Sequence, residues 1–448
     1  MASPHSRPRP FRRSHRSRPP LTAVAGLLAL PCWLGACDGA VDSSTPGPAD
    51  SAEPDGSDSV DPGSDDPTPS LPDEPLAERL DAVLDAVVAR GTVGAGLYLQ
   101  RRGHAPYRGA RGLADVATGE RLTPDHLFRI ASMSKTYLTA VLMKLAVEGR
   151  LAMTDPITGY LPADIIALIP DAERISIYDL LTMWSGIIDY RDLTFVEEVL
   201  FGDHSLVRDE YTDLMNGLGR NPTPCAPPEI ALEQVTPERA ECLYSNTNYV
   251  LAGYIADRVL YGVEPAAGVR QEHHSRAFRE QLFAPLGLTA TYYEKHPAPG
   301  EEDWSERLAH GYYSAPGPDG EPQRTDVTGW DDGNGFANGG LISTLEEVAR
   351  FRHALFSHDH PYPMATLAEK GQFLDLLGTT NALGVAPAGA TAKDAWIFSG
   401  DIGGYTSWVQ YSPTRDTVFA FMSNDRDLEP TRGDVIAEIQ AILDSASY

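Results

Sequence analysis

The chain has 448 residues, 42% hydrophobic and 22% charged, which is enough for one or two domains with a proper core. Its 36 basic and 63 acidic side chains give a formal net charge of −27. A surface this acidic argues against nucleic acid or an anionic membrane face as a partner, although it says nothing about the fold.

The first 37 residues predict a signal for export. Residues 1–20 hold six arginines and no acid, and the apolar run at 21–36 is too short to span a membrane comfortably. The residues Leu34-Gly35-Ala36 before Cys37 resemble the lipobox of bacterial lipoproteins, in which cleavage precedes the cysteine and its thiol receives lipid. We therefore expect an exported protein that a lipid on Cys37 anchors at the bacterial cell envelope, in the periplasm or at the cell surface. Plain secretion with cleavage nearby is the alternative.

Residues 38–75 predict a disordered acidic linker. They carry eleven acids, no lysine or arginine and almost nothing large and apolar, so they cannot bury a core. The acidity continues beyond the linker, because residues 76–448 hold 30 basic and 52 acidic side chains, a net charge of −22. We expect one folded domain over residues 76–448.

The domain predicts mixed helices and strands without internal repeats. A helix is expected at 76–90, where apolar residues recur on one face and Gly91 follows. Another helix starts near Ser132, and a final helix is expected at 432–446. Strands are predicted at 95–100, 107–112, 396–400, 405–412 and 417–423. Strand-bearing ends around a helical middle predict a single α/β (α+β) unit with a mostly helical insertion at roughly 150–330.

Ser132 and Lys135 stand three apart at the start of an apolar helical run. Residues 136–147 are apolar nearly all round, which indicates a buried helix. Ser132 would then lie in the first turn, where free N–H groups favour a developing negative charge. Burial would lower the pKa of Lys135 toward a value at which it accepts a proton. The chain has 31 arginines and only five lysines. An arginine cannot be deprotonated, so lysine at this position indicates a base.

Tyr244-Ser245-Asn246 precedes a second apolar helix, and with it a family resemblance emerges. Ser132-x-x-Lys135 followed by this triplet resembles the penicillin-recognising serine hydrolases: class C β-lactamases, D-alanyl-D-alanine carboxypeptidases and family VIII esterases. Further segments fit the same pattern in the same order: HLFRIASMSK, ISIYDLLTMWSGIIDY, LFAPLGLTATYYE, ANGGLISTLEEVARF and SGDIGGYTSWVQYSP. The resemblance implies a β-lactamase/transpeptidase-like fold, an antiparallel sheet flanked by helices.

The resemblance also assigns roles to individual residues. It makes Ser132 the nucleophile of an acyl-enzyme and Lys135 the group that takes or relays its proton. It makes Tyr244 a phenolate that shares the work of the general base, and it makes Asn246 the amide that holds the substrate carbonyl side. The structural alternative for Tyr244 and Asn246 is a buried tyrosine and a helix cap.

Besides the Ser-x-x-Lys and Tyr-x-Asn motifs, the family has a third motif, and there this chain departs from the usual sequence. Members carry Lys-Thr-Gly or His-x-Gly where this chain has Phe398-Ser399-Gly400. Gly400 keeps the close approach that substrate needs, and the N–H groups of Asp401 and Ser132 would form the oxyanion hole. Phe398 cannot bind a substrate carboxylate, and losing such a contact costs about 1.5–3 kcal/mol.

These features predict a serine hydrolase that uses an acyl-enzyme and takes a small molecule or a peptidoglycan peptide. Esterase-like and carboxypeptidase-like activity rank equally, above effective β-lactamase activity, so weak β-lactamase activity stays open. The rival hypothesis is a catalytically silent penicillin-binding-like lipoprotein that binds a cell-envelope partner. It is supported by Phe398 and opposed by the otherwise intact set of site residues.

The remaining cysteines and histidines predict neither a cofactor nor a metal site. Cys225 and Cys242 form an even pair in an oxidising compartment, and a disulfide is favoured over two free thiols. His273-His274 and the histidines at 358–360 lack a His-Glu-x-x-His pattern, and we interpret them as solvated loop residues.

Overall fold

A computed structural model gives the structure of the folded domain. It describes residues 74–205, 207–220, 244–267, 272–295, 303–316, 322–331, 336–356, 386–388, 392–428 and 430–446. The predicted export signal, the lipobox and residues 38–73 of the predicted linker lie outside these residues, as do Cys37, Cys225, Cys242 and the histidines at 358–360. The predictions made for them stay predictions. The last two residues of the predicted linker, Glu74 and Pro75, instead begin the first helix.

The described helices include both predicted terminal ones. They are α1 (Glu74–Ala89), α2 (Ser134–Val147), α3 (Ala163–Ile166), α4 (Ile177–Leu181), α5 (Leu193–Phe201), α6 (Glu210–Arg220), α7 (Asn246–Tyr261), α8 (Glu272–Phe278), α9 (Ala284–Leu286), α10 (Leu345–Phe356) and α11 (Arg432–Ser445). A short 3₁₀ turn, Ala131–Met133, directly precedes α2.

The strands include the five predicted ones, each within a few residues of the expected bounds. They are β1 (Gly94–Arg101), β2 (Tyr107–Asp115), β3 (Glu120–Arg121), β4 (Phe128–Arg129), β5 (Thr291–Tyr293), β6 (Tyr312–Pro316), β7 (Pro322–Asp326), β8 (Leu341–Ser343), β9 (Ala386–Ala388), β10 (Ala392–Ile402), β11 (Tyr405–Ser412) and β12 (Thr417–Ser423). Strands β5, β6 and β7 lie in the stretch predicted to be mostly helical. With three to five residues each, they are too short to display a reliable alternation.

An antiparallel seven-stranded sheet forms the centre of the domain, in the order β3-β2-β1-β12-β11-β10-β9. The first long strand, β1, pairs with the last, β12, from Ala95 opposite Ser423 to Arg101 opposite Thr417. Strand β12 is buried along its whole length, which explains its nearly continuous apolar sequence. Helices cover both of its faces.

The two faces of the sheet bury separate apolar clusters. Helices α1 and α11 pack together on one face, over residues such as Leu97 and Phe421. Helix α10 packs on the other face, and α2 and α7 belong to the larger cluster on that side. This arrangement of helices, sheet and helices is the antiparallel fold that the resemblance implied.

A small second sheet, β4-β8-β5, holds the segment before Ser132 in place. Strand β4 ends at Arg129 and pairs with β8, and the N–H of Ile130 donates to the carbonyl of Leu341 at 3.0 Å. The N–H of Leu341 donates in turn to the Ser134 hydroxyl at 3.1 Å. The turn that carries Ser132 is therefore tied to the chain that leads into β8.

Candidate active site

Ser132 lies in the 3₁₀ turn before α2, where the sequence placed it near the helix start. The preceding residue, Ala131, has a φ of 51°, in the left-handed region that costs a non-glycine residue about 1 kcal/mol or more. Ser132 is half-buried, and its Oγ lies 3.0 Å from Lys135 Nζ and 2.7 Å from Tyr244 Oη. The fold thus brings the three predicted catalytic side chains into direct contact.

Lys135 is completely buried on the first turn of α2. Besides Ser132 Oγ, its Nζ contacts Asn246 Oδ1 at 2.9 Å and the carbonyl oxygen of Asn338 at 2.7 Å. Burial lowers the pKa of Lys135 from 10.5 to about 7, and Asp189 opposes this shift only in part. The free amine has two N–H bonds and one lone pair. Since Asn246 and Asn338 offer only acceptors, the lone pair is left to face Ser132.

Tyr244 donates to or accepts from Ser132 through its hydroxyl, at the edge of α7. Burial raises the pKa of Tyr244 well above its usual range, and the hydrogen bond with Ser132 offsets this only in part. This shift favours the protonated phenol, whereas the resemblance implies a phenolate, and the part that Tyr244 plays in proton transfer stays a prediction.

Hydrogen bonds with Asp189, Lys135 and Asn338 fix the orientation of the Asn246 side chain. Its backbone and side-chain N–H groups donate to Asp189 Oδ2, at 3.2 and 2.7 Å. Because a carboxylate only accepts, Asn246 Oδ1 must point the other way, toward Lys135 and the side-chain amide of Asn338 at 3.2 Å. Asn246 thus acts on Lys135 in this structure, and a contact with substrate stays a prediction.

Strand β10 passes directly beside the nucleophile. A Cβ on Gly400 would lie 2.4 Å from the carbonyl oxygen of Ile130 and 2.8 Å from the nitrogen of Ser132, so only glycine fits. Phe398 shares this face of the strand, because side chains two residues apart point the same way. It is 8% exposed and belongs to the large apolar cluster.

The side chains of Ser399 and Asp401 alternate with those of Phe398 and Gly400 along β10, and both residues are partly exposed. The Asp401 carboxylate contacts Arg432 Nη1 at 2.8 Å and the Thr406 hydroxyl at the same distance. The side chain of Asp401 is thus occupied by a structural ion pair. An oxyanion hole built from the N–H groups of Ser132 and Asp401 stays a prediction.

Sequence reasoning missed two residues that shape the site, Asp189 and Asn338. Both lie in segments quoted for the resemblance, 175–190 and 337–351, so a signal was present. What they contribute could not be read from it, because Asp189 acts through Asn246 and Asn338 acts through its backbone carbonyl.

The interpretation of His273 and His274 as loop residues is wrong, because both lie in helix α8, and for His274 the expected solvation is wrong as well. His274 lies in α8 with 2% of its side chain exposed, between the carboxylates of Asp257 and Glu210. Within the described part of the chain, no group of three or more His, Cys, Asp or Glu residues is arranged to hold a metal ion. Nor is any helix there long and apolar enough to cross a membrane.

The fold and the contacts at Ser132 define a site of the serine hydrolase type. The profile of the Beta-lactamase family matches residues 80–443, and the chain belongs to this family, whose members are serine hydrolases.

Curated relatives of two kinds match parts of the chain. Esterase EstB from Burkholderia gladioli is 41% identical over 114 residues, which are 25% of this chain and 29% of EstB. Penicillin-binding protein 4 from Amycolatopsis lactamdurans is 27% identical over 244 residues, 54% of each protein. The chain therefore spans less than two thirds of the length of either relative.

Solved structures share the fold over most of the chain. The D-amino acid amidase from Ochrobactrum anthropi SV3, complexed with L-phenylalanine amide, is 24% identical with a TM-score of 0.59, covering 83% of this chain and 99% of the amidase. The octameric penicillin-binding protein homologue from Pyrococcus abyssi is 20% identical with a TM-score of 0.60, covering 82% of this chain and 77% of the homologue.

Proposed function

We propose that this protein is an exported serine hydrolase that forms an acyl-enzyme at Ser132 with a small ester or amide. The observation that carries the proposal is the pair of contacts at Ser132 Oγ, 3.0 Å from Lys135 Nζ and 2.7 Å from Tyr244 Oη. Burying an amine disfavours its charged form strongly, and a protein that only binds a partner has no use for a buried amine aimed at a hydroxyl.

Acylation begins when Ser132 Oγ attacks the acyl carbon of the substrate. As the new C–O bond forms, the hydroxyl proton passes to the lone pair of Lys135, which is accessible near neutral pH because the pKa of this amine is about 7. The carbonyl oxygen becomes an oxyanion beside the N–H of Ser132 and the edge of β10.

The leaving group then departs as its bond to the acyl carbon breaks. Tyr244, protonated and in contact with Ser132 Oγ, is placed to give the departing oxygen or nitrogen its proton, and Lys135 supplies the proton that replaces it. A water molecule next attacks the acyl-enzyme. It loses a proton to the same groups, and the bond between the acyl carbon and Ser132 Oγ breaks. The proton passes to Ser132 Oγ, which regains its hydroxyl, and the acid product leaves.

The substrate we favour has no carboxylate beside the scissile bond. Phe398 is apolar at the position where members of the families that this chain resembles carry a lysine or a histidine. Arg432 lies near this strand, but its guanidinium is paired with Asp401. A substrate carboxylate would lack a charge-assisted contact worth about 1.5–3 kcal/mol, whereas a neutral ester or amide loses nothing. The similarity to an esterase is in line with this choice.

The test compares the purified protein with Ser132→Ala, using p-nitrophenyl butyrate and a fluorescent penicillin. Ester turnover that Ser132→Ala abolishes, with little penicillin labelling, is the expected result. Strong penicillin labelling would move the substrate class toward β-lactams and D-Ala-D-Ala peptides. If neither probe reacted above the Ser132→Ala background, the silent binding protein would replace the hydrolase.

Lipid attachment at Cys37 is part of the proposal and rests on the sequence pattern at residues 34–37. Expression of the full chain in a bacterium fed radioactive palmitate should label the protein. Cys37→Ala should abolish the label, and label that persists in this variant would remove the lipid anchor from the proposal.

A further inference from the structure

A buried cluster of three charged side chains lies near the catalytic lysine. His274 Nδ1 is 2.8 Å from Asp257 Oδ2, and His274 Nε2 is 3.3 Å from Glu210 Oε1. The three side chains come from different helices, α8, α7 and α6, and are 2%, 5% and 1% exposed. We call this cluster the Glu210–His274–Asp257 triad.

His274 carries a proton on both ring nitrogens, because each nitrogen faces a carboxylate. Burial alone would lower the pKa of His274, but Asp257 and Glu210 outweigh it and raise the pKa to about 10. A buried ion cluster of this kind is costly to desolvate, and apolar side chains of similar volume often stabilise a fold as well or better. The triad therefore calls for a reason other than stability.

The triad contacts the segment that supports Lys135. The second oxygen of Glu210, Oε2, accepts a long hydrogen bond of 3.4 Å from the N–H of Ala337. The next residue, Asn338, offers its carbonyl oxygen to Lys135 Nζ at 2.7 Å. Two hydrogen bonds and the backbone of residues 337 and 338 thus connect Glu210 with the amine of Lys135.

A second contact joins the same groups through helix α7. A Cβ on Gly253 would lie 2.7 Å from the Cβ of Ala337 and 3.0 Å from His274 Cε1. Glycine at this position lets Ala337 and His274 approach the same point of α7. Residue 337 therefore contacts the triad through one hydrogen bond, and its side chain packs on helix α7 at the point that His274 also approaches.

We propose that the Glu210–His274–Asp257 triad is a positioning device that holds the carbonyl of Asn338 against Lys135 and so keeps the lone pair of the amine directed at Ser132. None of the three residues touches the reacting atoms, so they act through Ala337 and Asn338. The inference rests on the proposed function, because it assigns Lys135 the role of base.

The central experiment is Glu210→Gln. Glutamine keeps the size of the side chain but cannot accept at both ends, so it must give up either the Ala337 N–H or one proton of His274. We expect kcat for p-nitrophenyl butyrate to fall roughly 10- to 100-fold with KM nearly unchanged, since small displacements of a catalytic group have effects of this order. Asp257→Asn, which reaches the segment only through His274, should lower kcat less.

Glu347→Gln provides the matched control. Glu347 is a buried carboxylate in α10 that accepts from the N–H groups of Thr289 and Ala290, with no described contact to residues 336–338. This variant should lose thermal stability and keep its kcat. Equal kcat in Glu210→Gln, Glu347→Gln and the wild type would overturn the positioning role, whatever the losses of stability.

A second readout separates this inference from the proposed function. The rate at which a fluorophosphonate labels Ser132 reports nucleophile activation without any need for substrate turnover. If the wild type is labelled but hydrolyses no ester, the proposed substrate class fails, and slower labelling of Glu210→Gln still supports the triad. If Glu210→Gln does not fold, slower labelling of folded Asp257→Asn supports the proposal, and unchanged labelling overturns it. Absence of labelling in the wild type overturns both ideas.

Discussion

Replacing Lys135 by methionine should change how the stability of the protein depends on pH. Methionine has a similar length and lacks the amine. Lys135 titrates near 10.5 in an unfolded chain, whereas burial lowers its pKa to about 7 in the fold. Between these values the unfolded state binds one proton more, so the stability of the wild type rises with pH by about 1.4 kcal/mol per pH unit.

The whole window corresponds to about 5 kcal/mol, because one pKa unit is worth about 1.4 kcal/mol. Below pH 7 the wild type carries this penalty in full, and above pH 10.5 the penalty has vanished. Lys135→Met has no penalty at any pH. It does leave the carbonyl of Asn338 without the Lys135 donor, at about 1–3 kcal/mol, whereas Asn246 Oδ1 still accepts from the side-chain amide of Asn338. We expect the variant to be more stable than the wild type by about 2–4 kcal/mol at pH 6 and less stable by up to about 2 kcal/mol at pH 10.

The measurement is urea unfolding of both proteins from pH 6 to pH 10, followed by near-UV circular dichroism. Titration of all other groups cancels in the difference between the two free energies of unfolding. Lys144→Met, on the same helix, is the control for the loss of a lysine. A difference between wild type and Lys135→Met that stays constant from pH 7 to pH 10 would refute the reasoning, because Lys135 would then titrate alike in the folded and unfolded states.

Three further predictions concern catalysis. Burial is the main cause of the lowered pKa of Lys135, and the charge of Arg191 lowers it further. Arg191→Gln should therefore raise this pKa and move the acidic limb of the pH profile of kcat/KM to higher pH. A limb that does not move would argue against Lys135 as the titrating base. Gly400→Ala puts a Cβ 2.8 Å from the nitrogen of Ser132 and should lower kcat/KM for p-nitrophenyl butyrate about 100-fold or more. Activity near that of the wild type would show that β10 does not border the oxyanion. Phe398→His should raise the rate of labelling by a fluorescent penicillin roughly tenfold, and a rate equal to that of the wild type would mean that the apolar residue does not decide the substrate class.

Local patterns were sufficient to predict most of the fold near the chain ends. The helix at α1 has an apolar face at helical spacing, and β10, β11 and β12 alternate or run apolar between turn residues. The predicted contact between Ser132 and Lys135 followed from spacing on a buried helix. These inferences succeeded because the determining residues lie close together in the sequence.

The rest of the site depends on contacts between distant parts of the chain. Asp189 orients Asn246 across 57 positions, and Asn338 reaches Lys135 across 203 positions with a backbone carbonyl, which leaves no trace in the residue type. The burial of His274 was misjudged for the same reason, since its carboxylate partners come from two other helices. The raised pKa of Tyr244 could not be foreseen either, because burial is its main cause and the burial of this phenol depends on the whole fold.

The pairing of β1 with β12 joins the beginning of the domain to its end, with about 320 residues between the paired positions. The middle of the sheet cannot form until the ribosome has produced residue 423, and until then β1 has neither its central neighbour nor a closed core to enter. The centre of the sheet is therefore completed late in synthesis. That delay is compatible with the export that we propose from residues 1–37, in which the polypeptide would pass through a channel before it folds.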